Sequence, residues 1–238
     1  MNELERLAKE INISLNEKML EKFFCYKEML KEWNEKINLT AIVEDKEIII
    51  KHFIDSLTIE KYIDNNISLI DIGTGAGFPG IPLKIAKESI NLTLMDSLNK
   101  RLIFLDEVCK KLELRNVKTV HGRAEDIGKD SKYREKYDIA TARAVANMAV
   151  LLEYCLPFVK VGGVFICMKG NNIEEIEESE NALEKLGGKI EKIEKIYLPG
   201  TDIERNIIIV RKIKNTPKEY PRKAGVPSKN PIKKQWFF

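Results

Sequence analysis

The stretch LIDIGTGAGFPGIPL, residues 69–83, places Gly73, Gly75, Gly77 and Gly80 behind Asp71 on an apolar run. Glycine gives up more chain freedom on folding than any other residue, so this density implies that something must come close to the backbone there. The surrounding pattern says where the stretch lies. From residue 68 onward, apolar runs of strand length (69–72, 92–95, 117–120, 137–142 and 164–168) alternate with helical patterns such as Leu98, Leu102, Leu105, Cys109 and Leu112. Strands alternating with helices at this spacing predict a parallel sheet covered on both faces, with the glycine-rich stretch as its first strand-to-helix loop.

The two ends of the chain read differently. Near the start, Ser14-Leu-Asn-Glu17 has capping-box spacing, and Met19, Phe23, Tyr26, Leu30, Trp33 and Ile37 then recur at steps of four and three, the stripe of a core-facing helix. A second helical pattern, Ile50, Phe53, Ile54 and Leu57, follows. Beyond the fifth strand an acidic helix over 173–186 stops at Gly187-Gly188, and runs 190–198 and 206–213 are joined by Pro199-Gly-Thr-Asp202. A turn that short cannot carry a parallel crossover, so these runs should pair antiparallel at one end of the sheet. Ile190, Ile193 and Ile196 step by three, out of phase with a regular strand. The chain thus divides into an N-terminal helical extension (1–64) packed on the core, a ligand-binding α/β domain (65–213) and a C-terminal tail (214–238).

With 238 residues, 44% hydrophobic and 32% charged, the chain can bury one good-sized core. No apolar run approaches the roughly 20 residues of a membrane span. Met1-Asn2-Glu3-Leu4-Glu5 lacks the basic-then-apolar character of an export signal, so a cytoplasmic location is expected. Cys25, Cys109, Cys155 and Cys167 form no C-x-x-C pair and there are only two histidines, which predicts reduced, buried thiols and no metal site. The net charge of +3 hides an asymmetry. Residues 211–238 hold nine basic side chains (Arg211, Lys212, Lys214, Lys218, Arg222, Lys223, Lys229, Lys233, Lys234) against Glu219 alone, so this stretch is +8 and the preceding 210 residues are −5. Pro217, Pro221, Pro227 and Pro231 lie there too, each lacking an amide donor, so the segment after Ile213 is expected to be extended and loosely held.

In an open parallel sheet the ligand crevice lies at the carboxyl ends of the strands, where strand order reverses. Dinucleotides favour G-x-G-x-x-G there, with the pyrophosphate on the helix N-terminus. In this chain the third glycine comes one residue early, Phe78 takes its place, and Asp71 precedes the loop. That order suits S-adenosylmethionine (SAM), which has no phosphate to seat but carries an ammonium and a sulfonium that a carboxylate can balance; the loop alone leaves both cofactors open. Asp96, ending the second strand, can accept both ribose hydroxyl hydrogens of either cofactor. Gly122-Arg-Ala-Glu-Asp126 after the third strand offers amides and carboxylates suited to an adenine edge, and Arg143 ends the fourth strand, where the far end of the cofactor should lie. Their order at successive strand ends, with the antiparallel end of the sheet, favours methyl transfer over hydride transfer.

The segments DIGTGAGFPGIPL, DSLNKRLIFL, GRAED, ATARAVANM and the tail TPKEYPRKAGVPSKNPI together resemble, across nearly the whole chain, the bacterial ribosomal small-subunit methyltransferase G family, also called glucose-inhibited division protein B. The resemblance implies an α/β, Rossmann-like class I SAM-dependent methyltransferase fold, its seven runs forming a mostly parallel sheet with an antiparallel C-terminal strand. It implies methylation of N7 of one guanine in 16S ribosomal RNA. It also implies cofactor contacts at Gly73, Phe78, Ala124, Glu125 and Arg143, beside the Asp71, Gly75, Gly77 and Asp96 read from the loop and strand ends.

Guanine N7 holds an in-plane lone pair and no proton, so attack on a sulfonium methyl needs no general base, and a site can work by alignment and exclusion of water. The fourth strand accordingly ends in Ala-Thr-Ala-Arg rather than the Asn/Asp-Pro-Pro-aromatic signature of amino-nitrogen methyltransferases, and no Pro-Cys pair suggests covalent attack on a pyrimidine. Arg143 is expected nearest the chemistry, orienting the cofactor carboxylate or guanine O6 by bidentate donation. Cys155 reads as core and His121 as a backbone cap. His52 and Asp55, three apart, share a helix face either as a surface pair or at the crevice mouth.

The tail is expected to clamp RNA through Lys218, Arg222, Lys223 and Lys229, with Tyr220 and Trp236 available for stacking. Lys100 and Arg101, misplaced for the dipole at a helix start, would extend the basic surface. The partners so implied are 16S rRNA or the small ribosomal subunit, approached by a monomer. Three rivals stand beside this reading: a SAM-dependent methyltransferase of another RNA or a small molecule, a nicotinamide-dependent oxidoreductase, and a non-catalytic RNA-binding protein.

Overall fold

Seven strands, β1 (Ser68–Ile72), β2 (Asn91–Asp96), β3 (Val117–His121), β4 (Tyr137–Arg143), β5 (Val159–Lys169), β6 (Gly188–Tyr197) and β7 (Glu204–Lys212), form one sheet in the order β3-β2-β1-β4-β5-β7-β6. The computed structural model describes residues 3–143, 146–170 and 174–232; Lys233, Lys234 and Trp236 of the basic tail, and Ile173 at the start of the acidic helix, lie outside the described residues. β1 to β5 pair in parallel, and β7 inserts antiparallel between β5 and β6. Strand order reverses between β1 and β4, where Asp71 stands beside Thr141, so the crevice of an open α/β sheet falls at the carboxyl ends of these two strands.

The step-by-three isoleucines of β6 have a local cause. The register shifts between Ile190, opposite Val210, and Lys192, opposite Ile209, which inserts one residue and flips the alternation. Ile190 therefore packs with the cluster on one face of the sheet and Ile196 with the cluster on the other.

One face is covered by α1 (Glu3–Glu10), α2 (Glu17–Ile37), α3 (Asp45–Ile48), α4 (Asp55–Leu57), α5 (Gly80–Ala86) and α6 (Asn99–Lys111), whose apolar sides join a single cluster with Leu69, Leu92, Ile139 and Ile166. The other face carries α7 (Ala124–Ile127), α8 (Met148–Cys155), α9 (Glu174–Glu178) and α10 (Glu180–Leu186), packed on Ile70, Met95, Ala140 and Phe165. A last short helix, α11 (Val226–Lys229), lies in the tail.

Three expectations need correction. The cap of α2 is Asn16, whose Oδ1 accepts from the Met19 amide at 2.9 Å; the Ser14/Glu17 box is not formed, since asparagine is as good a cap and stands at the turn itself. The second helical pattern contains a π-helical turn, Ile49–Ile54, between α3 and α4, and its wider winding carries His52 and Asp55 inward instead of to a surface pair. The tail is docked. Arg134 donates to the carbonyls of Tyr220 (2.8 Å), Thr216 (2.6 Å) and Pro217 (3.1 Å), Arg222 is bound by the fully buried Glu153, and Pro227 and Ile232 are buried. Proline removes amide donors but leaves every carbonyl, and one guanidinium meets three of them.

Candidate active site

The glycine loop leaves β1 and is knitted from below. The amides of Gly73 and Thr74 both donate to the Met95 carbonyl, at 2.9 and 3.0 Å, which fastens the loop to β2. Asp71, fully buried, accepts through Oδ2 from Thr74 Oγ1 at 2.7 Å and from the Gly80 amide at 2.9 Å, while its Oδ1 has no hydrogen-bond partner. Burial pushes its pKa up to about 6, against the downward pull of those donors and of Arg143. The hydroxyl of Tyr26, on α2, donates to the Ala76 carbonyl, so the N-terminal helix supports the loop directly. Gly77 sits at φ 101° beneath that hydroxyl, and a Cβ there would meet Tyr26 Oη and Ile81 Cγ1 at 2.7 Å and Leu105 Cδ2 at 2.8 Å. Gly77→Ala is expected to destabilise the fold by about 3 kcal/mol, read as a fall in thermal-unfolding midpoint.

Beside the loop lies a cleft of about 280 Å³, lined by Gly73, Asp96, Gly122, Arg123, Ala124, Glu125, Tyr154, Gly225 and Ser228 among others. It contains four of the sequence-derived cofactor residues: Gly73, Asp96, Ala124 and Glu125. Asp96 Oδ2 accepts from the Gly75 amide at 2.9 Å and from Arg101 Nη1 at 3.2 Å, and its Oδ1 from the Leu98 amide at 2.9 Å, so the carboxylate is aimed by three donors. Glu125 Oε1 accepts from the Gly225 amide at 2.9 Å. Among the described residues, the charged side chains on the wall are two carboxylates and Arg123. That donor set fits a cationic ligand with ribose hydroxyls, as SAM is, better than a pyrophosphate. Asp71 is not on this wall; it lies under the loop, where it sets the loop's shape and adds negative charge behind it.

Phe78 and Arg143 stand together, and neither lines the cleft. The Arg143 guanidinium lies 5.0 Å from the Phe78 ring centroid, and the His52 ring stacks on the same phenyl at 4.3 Å. Arg143 Nη1 donates to the Lys51 carbonyl at 3.0 Å and to Asp55 Oδ2 at 3.4 Å, and Nη2 lies 3.0 Å from His52 Nδ1. Arginine has no acceptor, so His52 Nδ1 must accept, and its Nε2–H then donates to Thr40 Oγ1 at 2.9 Å. Burial, reinforced by the Arg143 charge, lowers the His52 pKa to about 3 and keeps the ring neutral. Asp55 also accepts from Arg205 Nε, at 3.2 Å to each oxygen. Much of the donor capacity expected to meet a ligand is thus already committed to protein.

The cations expected to meet RNA divide into two groups. Lys100, Lys218, Lys223 and Lys229 are exposed. Arg101 turns back onto Asp96, which offsets its unfavourable place at a helix start; Arg222 binds Glu153, and Tyr220 packs half-buried on the α8 face. His121 Nε2 lies 3.1 Å from the Ser97 carbonyl, and Cys155 is buried. Tyr26 was read from sequence only as part of a core-facing stripe, and Tyr154, Glu153, Arg205, Gly225 and Ser228 were not singled out; the one local signal was Glu153, a carboxylate inside the otherwise apolar helix MAVLLEYC.

Comparison with known proteins identifies the family and the fold. The sequence model of the family described as rRNA small subunit methyltransferase G matches residues 19–208. The chain is 59% identical over 226 residues to the Ribosomal RNA small subunit methyltransferase G of Acetivibrio thermocellus, covering 94% of this chain and 93% of that one. It is 54% identical over 233 residues to the protein of the same name from Alkaliphilus oremlandii, covering 97% and 98%. Among solved structures, a SAM-dependent methyltransferase from Aquifex aeolicus shares the fold, with TM-score 0.51 and 17% identity over 70% of this chain and 93% of that one. Matched in sequence over nearly its whole length, this chain belongs to the rRNA small subunit methyltransferase G family.

Proposed function

We propose that this protein transfers the methyl group of SAM to N7 of one guanine in 16S ribosomal RNA, free or within the small ribosomal subunit, and does so as a cytoplasmic monomer. The observation that carries this is the cleft over the carboxyl ends of β1, β2 and β3, with two carboxylates, Asp96 and Glu125, held by backbone donors on its wall, in a chain of this family. When bound, SAM supplies an electrophilic methyl group on sulfonium. Asp96, held by three donors, takes the ribose hydroxyls; Ala124 and Glu125 take the adenine edge; Gly73 lets the backbone approach. No residue has to remove a proton, because N7 carries none. The histidine beside Phe78 and Arg143 is neutral and bound through both nitrogens, which agrees with a site that aligns and dehydrates rather than titrates. Arg143 holds the Phe78–His52 wall against which the acceptor base would be placed.

Incubating purified 16S rRNA and small subunits separately with the protein and labelled SAM is expected to place the label on one guanine, as a 7-methyl group that renders the chain cleavable after borohydride and aniline. Label on another base or atom, or none, overturns the reading. The exposed Lys218, Lys223 and Lys229 supply phosphate contacts. Changing all three to alanine is expected to lower the slope of log affinity against log salt by roughly two units, with cofactor affinity unchanged. Fluorescence titration of labelled rRNA at several salt concentrations reads this. Truncating the tail would not be equivalent, because the tail also walls the cleft.

A further inference from the structure

The tail reaches the cofactor cleft from the opposite side to the glycine loop. Gly225 and Ser228 line the cleft, and the Gly225 amide is the donor that holds Glu125. Three residues before Gly225, Arg222 meets Glu153 on α8. Glu153 Oε1 accepts from the Arg222 amide at 2.7 Å and from its Nε at 2.9 Å, and Oε2 from Nε at 3.1 Å and Nη2 at 2.6 Å. Glu153 has no exposure at all, and among the described residues its carboxylate is compensated by the Arg222 guanidinium and the Arg222 amide. A fully buried ion pair adds little net stability over apolar residues of the same volume, but its directional hydrogen bonds fix the two segments it joins in one geometry. What it holds is the stretch leading to Gly225, while Leu151 and Tyr154, on the same helix α8, line the cleft themselves.

We propose that the Glu153–Arg222 pair is a latch that holds the C-terminal tail as the outer wall of the cofactor cleft, so that Arg222 and Glu153 are positioning residues for the cofactor through Gly225 and Glu125. This rests on the reading of the cleft as the SAM site. It gives the tail two faces with separate duties. The inner face, through Gly225 and Ser228, completes the cofactor site; the outer face presents Lys218, Lys223 and Lys229. Because one segment serves both, RNA drawn onto the outer face presses the inner face toward the cofactor, and cofactor in the cleft stabilises the surface that RNA meets.

Isothermal titration of the full-length chain with S-adenosylhomocysteine, in the absence of RNA, tests the latch. The paired change Glu153→Leu with Arg222→Ala removes both charges and leaves no carboxylate stranded; it is expected to weaken binding about tenfold or more. It should also raise the KM for SAM by the same factor, with kcat within about threefold of wild type. Arg222→Lys alone, which keeps a cation beside Glu153, is expected to lose less affinity than the paired variant, and Arg211→Ala, whose partner Glu191 lies away from the cleft, is expected to bind as wild type does. A cooperatively folded double variant with wild-type affinity overturns the latch. Hydrogen exchange on the unaltered protein gives an independent measure: amides of 220–228 should gain protection with S-adenosylhomocysteine together with those of 122–125, and protection of 122–125 alone overturns the proposal. Failure of the wild-type chain to bind S-adenosylhomocysteine would instead sink the cofactor reading.

Discussion

Replacing Arg143 by alanine is expected to reduce methyl transfer by at least about 100-fold, because the wall that Arg143 assembles is what keeps the acceptor base in line with the methyl group. The guanidinium ties two other pieces of chain to the end of β4. It fixes the π-helical turn through the Lys51 carbonyl and His52 Nδ1, binds Asp55, and lies over Phe78 of the glycine loop. Asp55 is 2% exposed and is shared between Arg143 and Arg205. Burial pushes the Asp55 pKa up while the two arginines pull it down. Removing one of the two leaves the carboxylate half-compensated, and an expected loss of about 2 kcal/mol in stability follows, below the 3–5 kcal/mol of a buried pair broken outright. The stability loss comes from the burial of the network and is separate from the loss of turnover. Lysine should not rescue, since one ammonium cannot reach the Lys51 carbonyl, Asp55 and His52 together in the plane a guanidinium provides. Transfer to 16S rRNA, measured beside the thermal-unfolding midpoint, distinguishes the two effects. Wild-type turnover in Arg143→Ala would remove Arg143 from any role in alignment.

The sheet and its helices were legible because their information is periodic and local. Runs at 69–72, 92–95 and 137–142 sit inside β1, β2 and β4, and the Phe23–Tyr26–Leu30 stripe is the buried side of α2. The antiparallel end followed from the length of one turn. The step of three in β6 was visible too, but its meaning, a shift between Ile190 and Lys192, depends on what β7 offers across the ladder. The site was legible in part for the same reason. Gly73, Asp96, Ala124 and Glu125 fall at successive strand ends, and topology brings strand ends together. What stayed hidden are contacts between residues far apart in sequence. Arg222 and Glu153 are 69 residues apart, Gly225 and Glu125 are 100, and Arg134 and Tyr220 are 86. Lysines, arginines and prolines in a terminal stretch have the composition of a solvated tail, and only the buried acids and the Arg134 guanidinium on the body show that this one is bound. Lys212 makes the same point: counted among the basic residues of the tail, it is fully buried and donates to the Leu156 carbonyl at 2.7 Å.

Asp71→Asn is expected to raise the thermal-unfolding midpoint of the ligand-free protein by roughly 5–10 °C near pH 8 while weakening SAM binding by about tenfold or more. Burial lifts the folded pKa of Asp71 from 3.8 to about 6, and Thr74, the Gly80 amide and Arg143 only partly offset it. Because the folded value lies above the unfolded one, the folded state holds the proton more tightly. The contribution of Asp71 to stability is therefore greatest below about pH 4, declines as the pH rises to about 6, and is level above that; a rise of this size costs the ionised form about 3 kcal/mol. The asparagine variant does not titrate, so its advantage over wild type should vanish as the pH falls toward 4. A stabilisation that is the same at about pH 4 and pH 8 would show that no buried charge resides on Asp71. The charge is explained by what sits above it. Oδ1 lies beneath the glycine loop without a partner, and a ligand bearing ammonium and sulfonium on the far side of that loop favours the ionised carboxylate. Binding of SAM should then release a fraction of a proton near pH 6, measurable as a dependence of the titration heat on buffer ionisation enthalpy, and Asp71→Asn should abolish it. The residue that weakens the empty fold is in this way the one that tunes the loop to a cation, and the two effects, stability gained and affinity lost, must appear together in the same variant.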